Sequence, residues 1–415
     1  MAARHHHGPA VTATEDFLSV VGTPEYVADP YPFLRQLRET APALHAGSDI
    51  WVVPRYTDVL RGLKDPALSC DFARLEHYDR YFRARGVDNR FPLPLNALDP
   101  PDHRRIRSAI TPEFHPAAVD ALRPVITETV DEVLDELEAR GRTDIDLVDD
   151  VAYPIPVALI ARLFGIPRAD QPLLRRWSHE FGVASDPDAV LTDAQREQAA
   201  EATREAGAYF ARLVRRRDAV PGGNLLGRWL AASRDDRTMS LPELLVNGVF
   251  LLIVGHHNTV SLIANGMLAL LEHPDQLDLL RRSPELMPNA VEELLRYDSP
   301  VQTSTRVTTG VYHVDGVDIP AHRQVMLLLG SANRDERVFA DPDRLDLRRP
   351  EAPRNLGLGR GMHSCLGGTL ARIEVGAALA ALVRRYPEMS LAGPARRRVP
   401  CFTLRGLTSL PVRLG

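Results

Sequence analysis

The sequence predicts a mainly α fold, a single α-rich domain with small β-sheets. Three observations carry this. Most segments between Asp102 and Leu271 place apolar residues at helical spacing; alternating β-branched stretches lie toward the two ends of the chain; and neither an internal repeat nor a low-complexity linker divides it. Alternating βαβ units would interleave strands with helices along the chain, so that architecture is disfavoured. The length of 415 residues suits two or three average domains, but large helical enzymes exceed that average. We expect a loose tail over residues 1–15 and one domain over 16–415.

The elements follow in order. Pro30 to Thr40 reads as a helix after a proline start, and Trp51 to Val53 as a β-branched strand. Phe72 to Leu98 carries charges and aromatics without a period, which predicts a long loop with one short helix; long loops in compact proteins are often functional. Val119 to Arg140 repeats Val125, Val130, Val133, Leu134 and Leu137 at helical spacing. Val190 to Arg217 is a polar, alanine-rich surface helix, ended by a break at Pro221. Gly310 to Val325 alternates around Gly316 and Pro320, which predicts a hairpin or small sheet. A glycine-rich loop after Pro350 leads into a helix over about Leu366 to Arg385, and Phe402 to Leu414 reads as strand again.

Composition excludes several classes. Hydrophobic residues at 44% and charged residues at 25% rule out a disordered or fibrous chain. A net charge of −5 gives no reason to expect nucleic acid or an anionic membrane as partner. The basic residues are 49 arginines and one lysine, Lys64. Codon bias explains this, so runs such as Arg215 to Arg217 and Arg396 to Arg398 read as solvated faces. Three scattered cysteines (Cys70, Cys365, Cys401) without a C-x-x-C argue against a disulfide framework or structural zinc. Met1 to Ala10 has no apolar signal core. The longest strongly apolar run, Gly248 to Gly255, falls short of the ~20 residues of a membrane span. A cytoplasmic protein is expected.

The sharpest motif is Leu356-Gly357-Leu358-Gly359-Arg360-Gly361-Met362-His363-Ser364-Cys365-Leu366-Gly367-Gly368. Here a cysteine closes a glycine loop and opens a helix. A helix N-terminus stabilises a thiolate, and glycines let a flat ligand approach the backbone. A buried structural cysteine is the alternative. A dinucleotide loop would need glycine at Met362. Glu293 and Arg296 are spaced to share one helix face, as are His103 and Arg107 in Asp99-Pro100-Pro101-Asp102-His103-Arg104-Arg105-Ile106-Arg107. Leu251 to Val260 is apolar nearly all round, hence buried, yet contains His256, His257, Asn258 and Thr259. Adjacent histidines face different directions, and H-E-x-x-H is absent.

These segments together resemble the cytochrome P450 family. The haem signature F-G-x-G-x-H-x-C-x-G is matched by Gly359, Gly361, His363, Cys365 and Gly367, then Leu370, Ala371 and Arg372; Leu358 replaces the usual phenylalanine. The resemblance runs from about Asp29 to Leu414, with no fused reductase. It implies the family's α-rich prism, haem b, and Cys365 as the proximal iron ligand, whose electron donation favours O–O cleavage. It implies that His103, Arg107, Arg306 and His363 hold the haem carboxylates. It makes Glu293 and Arg296 the family's E-x-x-R pair, with Arg344 of Pro342-Asp343-Arg344-Leu345 as third member of a structural network.

The resemblance places Leu251 to Val260 on the long helix over the distal haem face. Gly255 aligns with the family's kinking glycine, His257 with its acid and Asn258 with its threonine. That acid and alcohol normally help a water network deliver protons to dioxygen. Here Thr259 substitutes only if the helix shifts, and His257 remains as a proton carrier. The substrate pocket is implied along Phe72 to Leu98 (with Phe72, Tyr78, Tyr81 and Phe82), Phe181 to Ala200, Asn247, Phe250, Val254, the segment after Pro300, and Cys401 to Leu404, including Phe402.

The implied function is oxygen-dependent oxidation of a small natural product by a monomer. Electrons would come from NAD(P)H through a ferredoxin and its reductase, docking on a basic face at Arg104, Arg105 and Arg360. Two alternatives stand beside it: oxidative coupling or cyclisation without oxygen insertion, and a haem sensor with His257 as the distal ligand.

Overall fold

The computed structural model describes residues 17–47, 49–76, 92–186, 191–217, 225–233, 238–399 and 402–415. The expectations for Tyr78, Tyr81, Phe82, Pro221 and Cys401 lie outside them, as does the expected tail over residues 1–15.

Helices dominate. The N-terminal part contains α1 (Tyr31–Thr40), then strands β1 (Leu44–His45), β2 (Ile50–Val53) and β3 (Leu68–Ser69). The helical body contains α2 (Asp102–Ile110), α3 (Arg123–Ala139), α4 (Pro154–Phe164), α5 (Gln171–Ala184), α6 (Asp193–Arg217) and α7 (Leu225–Ser233). Then come α8 (Leu241–Glu272) and α9 (Met287–Tyr297). Strands β4 (Thr303–Thr308), β5 (Tyr312–Val314), β6 (Val317–Ile319) and β7 (Gln324–Leu328) follow. The chain closes through α10 (Gly368–Arg385), β8 (Arg396–Arg397) and β9 (Leu407–Ser409).

The main sheet has the order β1-β2-β7-β4-β3, with β2 parallel to β7 and β4 antiparallel to both β7 and β3. The β5–β6 hairpin forms where the alternation around Gly316 predicts it. Helix α3 starts later than predicted, because Pro116–Asp120 forms a separate short helix before it.

Helix α8 organises the core. Its 32 residues span about 48 Å at 1.5 Å per residue. A reciprocal Ser240–Glu243 capping box starts it, satisfying otherwise orphaned N–H groups. Leu252 and Ile253 join one apolar cluster with α4, α6 and α7, whereas Val260 to Leu270 join another with α3, α9 and α10. By length and composition α8 could cross a membrane, which the short apolar run Gly248 to Gly255 does not suggest. Its packing identifies it as a core helix: 56% of its most apolar window is buried inside the protein.

Candidate active site

The Cys365 loop is held from beneath. Asn333 accepts from the Leu356 N–H at 2.7 Å, Asn355 accepts from the Gly357 N–H at 3.1 Å, and Leu358 accepts from the Cys365 N–H at 2.8 Å. Gly359 and Gly361 have φ of +67° and +76°, where a side chain is strained. A Cβ on Gly361 would also lie 2.7 Å from the Leu63 carbonyl oxygen. A Cβ on Gly368 would lie 3.4 Å from the Leu358 side chain and 3.8 Å from that of Cys365, so the two side chains border the same glycine. Cys365 is exposed by surface area, yet burial pushes its thiol pKa up, opposed by the Gly367 N–H. Both hold for a thiol set deep in the fold that still keeps accessible surface.

Beside this loop, donors converge without enough acceptors. His103 on α2 is 1% exposed, and neither ring nitrogen has a partner among the described residues; His363 Nε2 also lacks one there. The two rings lie 4.2 Å apart. Arg107 reaches the Ser364 carbonyl at 2.9 Å, and Arg306, buried on β4, donates to Ser304 Oγ and the Thr305 carbonyl. Burial, with Arg306 and His103 nearby, pushes His363 down to about 3. Burial and Arg107 also lower His103. Buried polar atoms are rarely left unpaired, so this group calls for an anionic acceptor. The two carboxylates of haem b beside an accessible thiol meet that demand, and the residues fit the cofactor. Cys70, Asp99 and His363 also bring one ligand atom each within 4.8 Å of one another. Asp99 is already engaged by the Cys70 N–H and the Ser69 hydroxyl.

Helix α8 presents one open stripe in mid-protein. Phe250, Val254, Gly255 and Asn258 retain accessible surface, as do Leu251 and His257 beside them, whereas Leu252, Ile253, His256 and Thr259 are buried. The first four, at i, i+4, i+5 and i+8, share one face. Leu358 packs against the cluster containing Val260, and Leu366 against the one containing Leu252. The cysteine loop is thus anchored in the same two apolar clusters that α8 joins. Phe181 on α5 meets Phe250 edge-on at 6.4 Å. Asn258 Oδ1 is buried without a partner among the described residues.

Several expectations are corrected. The helix runs unbroken through Gly255, so no register shift brings Thr259 to the open face. His257 Nε2 lies 2.5 Å from Arg398 Nη1, so this ring nitrogen is engaged by a guanidinium of the C-terminal segment. Asn247 is fully buried, accepting from the Leu95 N–H and donating to the Glu243 carbonyl. It ties a loop to α8 instead of lining the pocket. Phe402 is 1% exposed and packs edge-on against Phe17 in the N-terminal cluster, away from the stripe.

In the E-x-x-R network, Glu293 holds Arg296 at 2.7 and 2.8 Å, but the third side chain is Arg349, at 3.1 Å. Arg344 contributes only its carbonyl, to Arg296 and Arg349, and its side chain is exposed. Arg397 and Arg398 are not a solvated face. Arg397 pairs with Asp298 at 3.0 Å, and Arg398 is 5% exposed. Arg105 turns from the basic face to Asp102 and Glu243. Arg104 does line an open cleft of about 1070 Å³ with Arg107, His115 and Met362. Sequence reasoning missed Arg349 and Arg398, because nothing local separates a buried arginine from the many others.

The profile of the Cytochrome P450 family matches residues 223–393. The 6-deoxyerythronolide B hydroxylase of Saccharopolyspora erythraea is 37% identical, over 93% of this chain and 96% of that protein. The cytochrome P450 monooxygenase PikC of Streptomyces venezuelae is 36% identical, over 94% and 92%. The ligand-free structure of Mycobacterium smegmatis CYP164A2 superposes with a TM-score of 0.88 at 33% identity, over 95% and 99%. With an accessible thiol on a glycine loop, arginines and unpaired imidazoles beside it and this likeness along nearly its whole length, the chain belongs to the cytochrome P450 family of bacterial haem-thiolate oxidoreductases, which activate dioxygen with electrons from redox partners.

Proposed function

We propose that this enzyme inserts oxygen into a small natural product, with Cys365 as the proximal ligand of haem b. When bound, haem b supplies the thiolate-ligated iron at which dioxygen is activated. The chain's residues do the rest. His103, Arg107, Arg306 and His363 anchor the cofactor's carboxylates, while Gly359 and Gly367 leave room for its flat face. The observation that carries this reading is the set of three imidazole nitrogens beside the Cys365 loop that have no partner among the described residues. Phe181, Phe250 and Val254 provide apolar contact for substrate, and Asn258, on the same face of α8, lies beside them.

The names of the hydroxylase and monooxygenase relatives support oxygen insertion over coupling. We place residues 16–415 in one domain, acting as a cytoplasmic monomer. An acidic ferredoxin suits the cleft at Arg104 and Arg107, with its NAD(P)H-dependent reductase upstream.

The reduced, carbon monoxide-treated protein tests the proposal. It should show the red-shifted Soret band of a thiolate-ligated haem. Cys365→Ala should lose the band and the activity, whereas Cys70→Ala and Cys401→Ala keep both. A Cys365→Ala protein with the band intact overturns the assignment. Labelled dioxygen then separates the chemistries: label in the product shows insertion, and a cyclised or coupled product without label refutes it.

A further inference from the structure

The contact between Arg398 and His257 joins three segments distant in sequence. Arg398 follows β8, His257 sits mid-way along α8, and Gly182 of α5 lies against both side chains. A Cβ at Gly182 would fall 2.5 Å from Arg398 Nη1 and 3.1 Å from His257 Nε2. The slot for the guanidinium therefore exists because residue 182 has no side chain. Arg398 also donates to the Leu404 carbonyl. Asp186, just beyond α5, interacts with the guanidinium electrostatically and accepts from the Thr403 N–H at 2.5 Å.

The chemistry of the contact fixes its direction. A guanidinium has only donors and stays protonated, so His257 Nε2 must be the acceptor. An accepting Nε2 is unprotonated, which leaves the ring neutral with its proton on Nδ1. Three further influences act the same way. Burial, Arg398 itself, and the neighbouring His256 and His179 all disfavour an imidazolium.

We propose that Arg398 is a positioning residue of the cavity roof: it holds His257 as one neutral tautomer, with Nε2 turned to the C-terminal segment. The position where the family has an acid then carries a fixed dipole, not a proton carrier. The inference rests on α8 covering the distal side of the cavity. It explains why an imidazole is tolerated next to the open stripe without capturing the metal.

Histidine ring spectra of the ¹⁵N-labelled, haem-loaded protein test this, with the His257 signal assigned by its loss in His257→Gln. In the wild type, that ring should stay neutral with Nδ1 protonated from pH 5 to 8. In Arg398→Ala the ring should lose its single tautomer and gain a titration step below the ordinary value of about 6.5, because burial still opposes the charge, and kcat/KM should gain a matching pH step. That step should vanish in Arg398→Ala/His257→Gln. If Arg398→Ala folds poorly, Gly182→Ala, which displaces the guanidinium without deleting it, should reproduce the freed titration. A wild-type His257 that titrates between pH 5 and 8 overturns the proposal, as does a ring whose behaviour is the same in wild type and both roof variants. The Cys365 spectrum is unaffected by either result, so failure here is distinct from failure of the haem assignment.

Discussion

Replacing Glu293 by Gln tests how the fold supports the Cys365 loop. The wild-type carboxylate is fully buried and accepts four hydrogen bonds: two from Arg296, one from Arg349 Nε and one from the Asp346 N–H. Arg296 is 0% and Arg349 is 5% exposed, so the substitution leaves two buried guanidiniums with no carboxylate between them. Breaking a buried ion pair by removing one partner costs about 3–5 kcal/mol, against a total stability of roughly 5–15 kcal/mol. Carbonyls of Asn333, Pro342 and Arg344 still receive Arg296. They soften the loss without neutralising the charge, so we expect about 3–4 kcal/mol within that range. Asn333 also holds the Leu356 N–H, which couples the network to the cysteine loop. Urea unfolding of haem-loaded protein should show the loss, together with a lower haem-to-protein ratio. Adding Arg296→Met to the Glu293→Gln background should cost much less than Arg296→Met alone, because the shared interaction is already gone. A loss under about 1 kcal/mol with normal haem content would refute the argument, since that is the range of a surface pair.

Other outcomes follow from the same structure. Asn258→Thr with His257→Glu restores the family's residue types, but the introduced carboxylate would pair with Arg398; we expect little gain in turnover, and a large gain in coupling of NAD(P)H to product would show that the native pair is only a damaged relay. Glu374 on α10 is 2% exposed with Oε1 unpartnered, and burial raises it from 4.5 to about 8. Below pH 4.5 both folded and unfolded chains hold its proton; from there to about pH 8 only the unfolded chain ionises, so stability falls across that window by at most roughly 1.4 kcal/mol per pH unit. Glu374→Gln should flatten that fall in thermal melts, and an unchanged slope would locate it elsewhere. His103→Ala with Arg107→Ala removes two of the four anchoring donors; haem titration should show at least roughly tenfold weaker retention, the loss of about one charge-assisted hydrogen bond, and unchanged retention would exclude them from the site.

Local chemistry determined much on its own. Helical period, β-branched alternation and the Pro and Gly breaks located most elements, because these signals act within one turn or one strand. The cysteine motif was legible for the same reason: a tight glycine loop, a thiol and a helix start are consecutive in the chain. Spacing also put Glu293 beside Arg296 and His103 beside Arg107. Tertiary structure decided what those residues meet. Arg349 rather than Arg344 completes the Glu293 network, since which arginine turns inward depends on the path of the 341–349 loop. Asn247 and Phe402 face supporting contacts instead of the open stripe, because helix rotation and the N-terminal aromatic cluster set their directions. Arg398 reaches His257 only because Gly182, far earlier in the chain, leaves an empty slot. Burial turns an arginine from a solvated charge into a directed donor, and burial is a property of packing between segments that no single segment encodes.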